Sequence, residues 1–348
     1  MAPARSPQTT AVPRSPDAPL WVWAHHSITR RAEAMFVHLA GVRAGADIEA
    51  VHDMRVGSRR VVAAMRVFRD CFPTVEFRNL AREARGITDA LGAVRDLDVL
   101  IEHATLRRRD AADEVHPALA YLIAVWGGDR RRARRPMLRE LARLEKTRYL
   151  ARMEQYLTEE FEAHAVGMDL VHRRAREDSP LPSGGRTSFR EAAPLLLGLR
   201  YANLYSFEPY VEHPEATTEL HAMRIAAKWF RYTMELFSPA YADSLREPLE
   251  AVRRFQELLG DLHDSDVRLD LLQAARRGTL NVDALVEIGE LLPDPIPVGL
   301  DRLHADEQQF RHACYLSFRD CWRLLAADGF AGRCRERIAN PDALRTEE

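Results

Sequence analysis

Two segments of the chain carry the same ordered set of cationic side chains. Each has a histidine, an arginine three residues later and a basic residue four positions further on: His52, Arg55 and Arg59, then His221, Arg224 and Lys228. On a helix these spacings place the three side chains of a segment on one face. Guanidinium, ammonium and imidazolium groups bind phosphate and other oxyanions through charge-assisted hydrogen bonds. The repeated set therefore indicates an anion-binding surface.

A further basic residue continues each of these faces. At about 100° per residue, Arg66 falls on the face of the first set and Arg231 on that of the second, with Phe68 and Phe237 on the opposite sides. An amphipathic helix with a solvated polar face would show the same division. Such a face usually mixes charge signs, because opposite charges four residues apart attract one another, whereas only Glu235 interrupts these two. We therefore interpret both faces as binding surfaces.

The helix that begins near Pro73 adds arginines in the same manner. Arg78, Arg82 and Arg85 share one face of it, opposite an apolar face. Arginine-bearing helices packed side by side would direct their charges into a common groove. Like charges gathered in this way repel one another, so such a groove is tolerated when an anion fills it. Arg82 and Arg85 therefore join the candidate binding residues.

A second repeated motif contains paired acids. It reads LGAVRDLDV in the first copy and LGDLHDSDV in the second, and its acids are Asp96 with Asp98 and Asp264 with Asp266. Carboxylates at this spacing could hold a metal ion. They could equally orient arginines from neighbouring helices through ion pairs. The sequence leaves both interpretations open.

The elements that must position these residues are helices. Apolar residues recur at spacings of three and four through most of the chain, which predicts an all-α protein. Breaks at prolines divide it into predicted helices at about 20–44, 48–71, 75–104, 115–165, 190–208, 216–238, 243–276, 281–291 and 298–327. Long helices with short connections are typical of helical bundles.

The internal repeat predicts the organisation of the chain. A chain that repeats about half its length is expected to contain two copies of one unit. We place the first half at about 20–165, a linker at about 166–189 and the second half at about 190–335. The proline-rich residues 1–19 are expected to be a disordered lead-in, and residues 336–348 a tail.

Charge and hydropathy restrict the possible locations. The formal net charge is only −2, yet residues 128–152 hold ten basic and three acidic side chains. The N-terminus lacks the apolar core of a secretory signal. The longest apolar run, 118–126, is far below the roughly 18 residues that a membrane span requires. A cytoplasmic protein without a membrane partner is therefore expected.

The repeated motifs resemble those of the CHAD family, the conserved histidine α-helical domain. The resemblance rests on H-x-x-R-[VI]-x-x-[RK] at His52–Arg59 and again at His221–Lys228, with LGxxRDxDV at Leu91–Val99. It implies two pseudo-symmetric four-helix bundles that form one body around a basic central groove. It also implies non-catalytic binding of inorganic polyphosphate without a cofactor, and association with polyphosphate granules.

Carrying the family pattern over implies a set of phosphate contacts: His52, Arg55, Arg59, His221, Arg224, Lys228 and Arg231. This chain departs from the pattern at Val62 and Trp229, where the family often has a basic residue, and at His263. Some family members are fused to a triphosphatase-type domain, whose ExExK segment is absent from this sequence.

Two other functions are compatible with parts of the pattern. A metal-dependent phosphohydrolase could use the His52–Asp53 and His263–Asp264 pairs, but Asp53 becomes Ala222 in the second copy while the arginine remains. An RNA-binding protein would need aromatic side chains among the cations for base stacking. Only Trp229 and Tyr232 lie near the edge of the basic face, so nucleic acid is not the expected partner.

The two histidines that begin the repeated sets predict a proton-linked contact. Neighbouring cations disfavour the imidazolium in an empty groove, whereas a bound polyanion favours it. Binding is therefore expected to take up protons at His52 and His221 as the pH falls from about 8 to 6.

Overall fold

The structure is a computed structural model that describes residues 15–45, 48–166, 180–181, 186–277 and 296–341. Within those ranges the chain is helical and contains no strand, which confirms the all-α prediction. The described helices are α1 Leu20–Phe36, α2 Leu39–Ala44, α3 Ile48–Val67, α4 Val75–Asp110, α5 His116–Lys146, α6 Tyr149–Ala165, α7 Phe189–Tyr205, α8 Thr217–Phe237, α9 Arg246–Arg276, α10 Ile296–Ala327 and α11 Phe330–Ala339. The helix predicted at 281–291 and most of the predicted linker lie outside the described residues.

Local side chains determine where several of these helices begin. Thr74 accepts a hydrogen bond from the backbone N–H of Phe77 at 3.1 Å and so caps α4. Ser188 and Glu191 form a reciprocal capping box at the start of α7. Such caps satisfy backbone donors that the first turn of a helix leaves unpaired.

Two predicted helices are each divided in the structure. The predicted helix 20–44 is interrupted between α1 and α2, and 115–165 is interrupted between α5 and α6. At the second break Arg148 adopts a left-handed φ of 51°, a conformation that ends a helix. The apolar spacing does not reveal this break, because Leu144 before it and Tyr149 after it are both buried in the same core. Pro136, in contrast, lies inside α5 without ending it.

The helices of each half pack in the same order. In the first half α1 packs on α3, α3 on α4 and α4 on α5, while α6 returns to α1. In the second half α7 packs on α8, α8 on α9 and α9 on α10, while α11 returns to α7. The helices that bear the repeated cationic sets, α3 and α8, also contact each other across the two halves.

Two apolar clusters hold the halves together. The larger one contains buried residues of both halves, and an aromatic contact between Phe68 and Phe237, with ring centroids 6.1 Å apart, joins α3 to α8. The smaller one lies where the C-terminal ends of α4 and α9 meet the first turns of α5 and α10. Within it, a Cβ added at Gly299 would lie 2.7 Å from that of Ala118, so α5 and α10 approach closely there.

Both ends of the described chain pack against the helices. Pro19 forms an isolated β-bridge with Ser188, and Asp17 pairs with Arg190 at 2.7 Å. Residues 15–19, which the sequence places in the lead-in, are therefore attached to the start of α7. At the other end α11 runs past residue 335, and the Tyr241 hydroxyl donates to the backbone carbonyl of Ile338 at 2.7 Å. None of the described helices has the length and apolar character needed to cross a membrane.

Candidate anion-binding site

A cavity of about 790 Å³ lies among α3, α4, α8 and α9, so each half supplies two of its walls. Its cationic lining comes from α3, α8 and α9 and consists of Arg55, Arg59, Arg224, Lys228 and Arg268. The first four belong to the two repeated sets. The structure thus brings together candidate residues that are separated by about half of the sequence.

Lys228 shows how closely these charges are gathered. Burial, and after it the neighbouring guanidinium groups of Arg59, Arg224, Arg55 and Arg66, lower the pKa of its amino group from 10.5 to about 8. Three of these four arginines lie on α3, in the other half of the chain. Burial is the largest cause of the lowered pKa. Because like charges also disfavour the protonated amine, the rest of the shift reflects positive charge gathered across the boundary between the halves.

Arg55 and Arg224 occupy equivalent positions on α3 and α8, and both have unused donors. The Nε–H of each is buried and lacks a hydrogen-bond acceptor among the described residues. Burial, as the largest effect, lowers the pKa of both guanidinium groups. A buried donor left without an acceptor costs about 1–3 kcal/mol. An oxyanion in the cavity would supply the missing acceptors.

The cavity also contains carboxylates. Asp96 Oδ1 lies 3.0 Å from Arg55 Nη2, and the charge of Asp264 favours the protonated form of Arg224. Burial raises the pKa of Asp264, although Arg224 and Arg268 oppose that shift. The first acid of each repeated motif is therefore adjacent to the arginine that an incoming anion would contact.

The second acid of each motif pairs with an arginine of the following helix. Asp98 of α4 pairs with Arg130 of α5, and Asp266 of α9 pairs with Arg311 of α10 at 2.5 Å. These contacts support the interpretation that the acids orient neighbouring arginines. In the part of the chain that the structure describes, no three histidine, cysteine or acidic side chains are grouped to hold a metal ion.

Two histidines meet at the edge of the cavity. The Nδ1 atoms of His221 and His263 are 2.9 Å apart, so one ring donates a hydrogen bond to the other. Burial, followed by the charge of Arg224, lowers the pKa of His263 to about 4, and burial also lowers the pKa of His221. Of these two, only His263 lines the cavity. His52, the counterpart of His221, is half-buried on α3, and neither His52 nor His221 is part of the lining.

A group of arginines extends the positive charge beyond the cavity. The guanidinium of Arg66 lies 4.5 Å from the ring centroid of Trp229, and that of Arg200 lies 6.0 Å from it. The pKa of Arg66 is lowered by burial and then by the charges of Arg69 and Arg85. We call this group the rim cluster; its members are Arg66, Arg69, Arg85 and Arg200. The candidates Arg66 and Arg85 therefore lie beside the cavity rather than in its wall.

Two candidates have other partners. Arg82 donates to the Asn79 side chain at 2.8 Å on the exposed surface of α4. Arg231 pairs with Glu235 at 2.5 Å and donates to Gln256 at 2.9 Å. Neither arginine lines the cavity.

Sequence reasoning also missed one cation of the cavity wall. Arg268 lies on α9 and lines the cavity together with Asp264. The two residues are four positions apart, a spacing that places them on one face of a helix. If the acidic motif is taken as part of the site, its four-residue spacing from Asp264 identifies Arg268 as a candidate.

The sequence comparisons agree with this architecture. The chain matches the model of the CHAD domain over residues 26–273. It belongs to the CHAD family. The uncharacterized protein Rv2226 of Mycobacterium tuberculosis is 26% identical over 264 residues, which cover 72% of this chain and 45% of that protein. A second uncharacterized protein of that species, MT2285, matches with the same identity and coverage. The chain thus spans less than half the length of these curated relatives.

Solved structures share the fold. The CHAD domain of the plant Ricinus communis superposes with a TM-score of 0.61 at 22% identity, covering 91% of this chain and 96% of that one. PptA from Streptomyces chartreusis superposes with the same TM-score at 16% identity, covering 88% and 100%. Both likenesses cover a larger share of the chain than the family match does.

Proposed function

We propose that this CHAD chain binds inorganic polyphosphate in the cavity among α3, α4, α8 and α9 and catalyses no reaction on it. The observation that carries the proposal is the opposed pair Arg55 and Arg224, each with a buried Nε–H that lacks an acceptor. The pKa of Lys228, lowered to about 8 first by burial and then by four neighbouring arginines, also reflects positive charge gathered in the cavity. A bound polyanion would supply acceptors for the two Nε–H groups and would balance the positive charge.

The arrangement of the cations favours a chain of phosphates over a single one. Positive charge continues from Arg59 and Lys228 in the cavity to Arg66 and Arg200 in the rim cluster. Each phosphate of a linear chain carries about one negative charge and could be matched by successive cations. Affinity would then be the sum of several charge-assisted contacts, each of modest strength.

The same arrangement implies a symmetric groove. We propose that the two halves are copies of one four-helix unit, related by a pseudo-two-fold axis between α3 and α8. The equal order of helix neighbours supports this, as do the equivalent ion pairs of Asp98 and Asp266. We further propose that the protein acts in the cytoplasm, in association with polyphosphate granules.

The cavity carboxylates set a limit on affinity. Asp89, Asp96 and Asp264 line the same space as the five cations. Phosphate must therefore compete with Asp96 for Arg55, since the two side chains already lie 3.0 Å apart. We expect Asp96→Asn to tighten polyphosphate binding, because it removes this competitor and its charge.

Calorimetric titration with long-chain polyphosphate tests the proposal. Arg55→Ala and Arg224→Ala are each expected to weaken binding by about 1–3 kcal/mol, the cost of one charge-assisted contact. A matched control is Arg30→Ala, which removes an exposed arginine of α1 that pairs with Glu33 at 3.4 Å. Melting should change little in any of the three variants. Binding that is unaffected by both cavity substitutions would contradict the proposal.

A further inference from the structure

The cavity has an aromatic side that a phosphate chain cannot use. Trp229 and Tyr232 of α8 both line it, with ring centroids 6.4 Å apart and the rings nearly perpendicular. Tyr232 is buried, but the Trp229 indole is only half-buried and is not part of either apolar cluster. Inorganic polyphosphate has no apolar surface, so this indole would remain partly exposed beside it.

Cations surround the Trp229 ring. Arg66 of α3 lies 4.5 Å from its centroid, Lys228 lies 5.6 Å away and Arg200 of α7 lies 6.0 Å away. A guanidinium above one face fixes the orientation of an indole through cation–π attraction. Proteins that bind single-stranded nucleic acid without sequence preference combine such aromatic rings with nearby cations, because every base has a π-face that can stack.

The two sides of the cavity are adjacent. Lys228 and Trp229 are consecutive residues of α8, so a ligand whose phosphates contact Lys228 lies within reach of the indole. The volume of about 790 Å³ falls in the range of roughly 300–1,000 Å³ that is usual for small-molecule sites. The cavity is therefore large enough for a phosphate chain joined to a flat aromatic group, and it offers cations for the phosphates beside an aromatic ring for the flat group.

We propose that this cavity binds nucleoside polyphosphates, with the phosphates on Arg55, Arg224 and Lys228 and the base stacked against Trp229. The inference rests on the proposed function, since it uses the same cations, and it adds a ligand class. Trp229 is then the residue that determines whether a base-bearing chain is preferred over a bare one. Tyr232 supports it as the second aromatic wall.

Titration calorimetry with tripolyphosphate and with adenosine and guanosine triphosphates compares chains of equal phosphate number. Tripolyphosphate carries at least as much negative charge, so electrostatics alone would favour it. One stacked base is worth about 1–3 kcal/mol, so we expect the nucleotides to bind roughly five- to 150-fold more tightly. Trp229→Leu should abolish this preference, so that the nucleotides bind no more tightly than tripolyphosphate.

Two further variants sharpen the comparison. Trp229→Phe retains a ring and should retain part of the preference. Trp21→Leu is the matched control, because Trp21 is a half-buried tryptophan of α1 that contacts Phe161 away from the cavity. It should bind both ligands as the wild type does. Photo-crosslinking of wild-type protein with an azidoadenine triphosphate provides a test without substitution, and the labelled peptide should contain Trp229.

The outcomes separate the two proposals. Tight binding of tripolyphosphate with no preference for nucleotides, or a preference that survives Trp229→Leu, would overturn the inference and leave polyphosphate binding intact. Failure of every phosphate chain to bind would overturn the proposed function itself. Tighter binding of a short single-stranded RNA without a 5′-triphosphate would instead identify a nucleic-acid site and also overturn the inference.

Discussion

Individual side chains at the site owe their properties to neighbours that are distant in sequence. Helical geometry was sufficient to predict that Arg55 and Arg59 share a face, because residues three and four apart always do. The pair of Arg231 with Glu235, four residues on, follows from the same geometry, but the contact of Arg231 with Gln256 of α9 does not. Helical geometry also could not predict the partner of His221, since that partner, His263, lies on a different helix.

Lys228 is expected to be the proton-linked group of the site. Its pKa is lowered to about 8, and a bound polyanion would raise it, because opposite charge favours the protonated amine. At pH 8 the free amine is then about half protonated and the bound one nearly fully protonated, so binding takes up about half a proton. Affinity should fall as the pH rises through 8 to 9. Calorimetry in buffers of different ionisation enthalpy measures the uptake.

Lys228→Arg is the matched variant for this experiment. Arginine keeps the charge and does not titrate below pH 12. The variant should bind polyphosphate with similar affinity, but its proton uptake at pH 8 and its loss of affinity up to pH 9 should both disappear. Uptake that persists unchanged in Lys228→Arg would assign the proton to another group, of which His221 and His263 are the first candidates.

At the scale of elements, ion pairs join neighbouring helices behind the cavity. Asp98 of α4, with a side chain 3% exposed, pairs with Arg130 of α5, and Asp266 of α9 pairs with Arg311 of α10. The arginine-rich segment 128–152 thus contributes to packing, since Arg134, Arg143 and Arg152 also contact backbone or acidic groups of other helices. The sequence shows that this segment is positively charged, but it does not show which helices its arginines contact.

Removing one acid of these pairs should destabilise the fold. Breaking a buried pair leaves an uncompensated charge and costs about 3–5 kcal/mol, so Asp98→Asn should lower the free energy of unfolding by an amount near the lower end of that range. Asp266→Asn should cost less, because its pair is more exposed. Urea denaturation measures both.

An exposed pair provides the control for this stability experiment. Asp320→Asn disrupts a pair with Arg319 on the surface of α10, and surface pairs contribute about 0–1 kcal/mol. Polyphosphate binding per folded molecule should stay unchanged in all three variants. If Asp98→Asn were as stable as the control, the pair would not be a packing element, and our account of the repeated acids would be wrong.

Helix existence was readily predicted, but helix breaks were not. Apolar spacing identified α3, α4, α8 and α9 because each buries a continuous stripe. The break at Arg148 has a left-handed φ but no glycine or proline at that position to indicate it in the sequence. The same limitation explains why the ordered start at residues 15–19 was not foreseen, since its partner is Ser188.

At the scale of the whole molecule, the cavity is formed between the halves, because α3 and α4 of one half and α8 and α9 of the other line it. The α3–α8 contact and the smaller apolar cluster join these halves. Both join residues from opposite halves, so local sequence patterns predict the repeated sets but not the space between them. The presence of carboxylates in that space was likewise visible only in the folded chain.

A site built from several cations should be strongly sensitive to salt. Each phosphate that a cation neutralises releases counterions. For single-stranded nucleic acids, the slope of log affinity against log salt concentration is about −0.7 per contacted phosphate, and we expect a similar slope for polyphosphate. Wild-type protein should therefore lose polyphosphate affinity steeply between low and moderate salt, and Arg55→Ala should show a smaller slope. Titrations at several salt concentrations measure this. An affinity that hardly changes with salt would contradict a site made of ionic contacts.

The most direct test of the central claim is a crystal structure with a short polyphosphate bound. We expect phosphate density among α3, α4, α8 and α9, with phosphate oxygens within hydrogen-bonding distance of the Nε atoms of both Arg55 and Arg224. Density confined to the arginine-rich surface of α5, with an empty cavity, would contradict it.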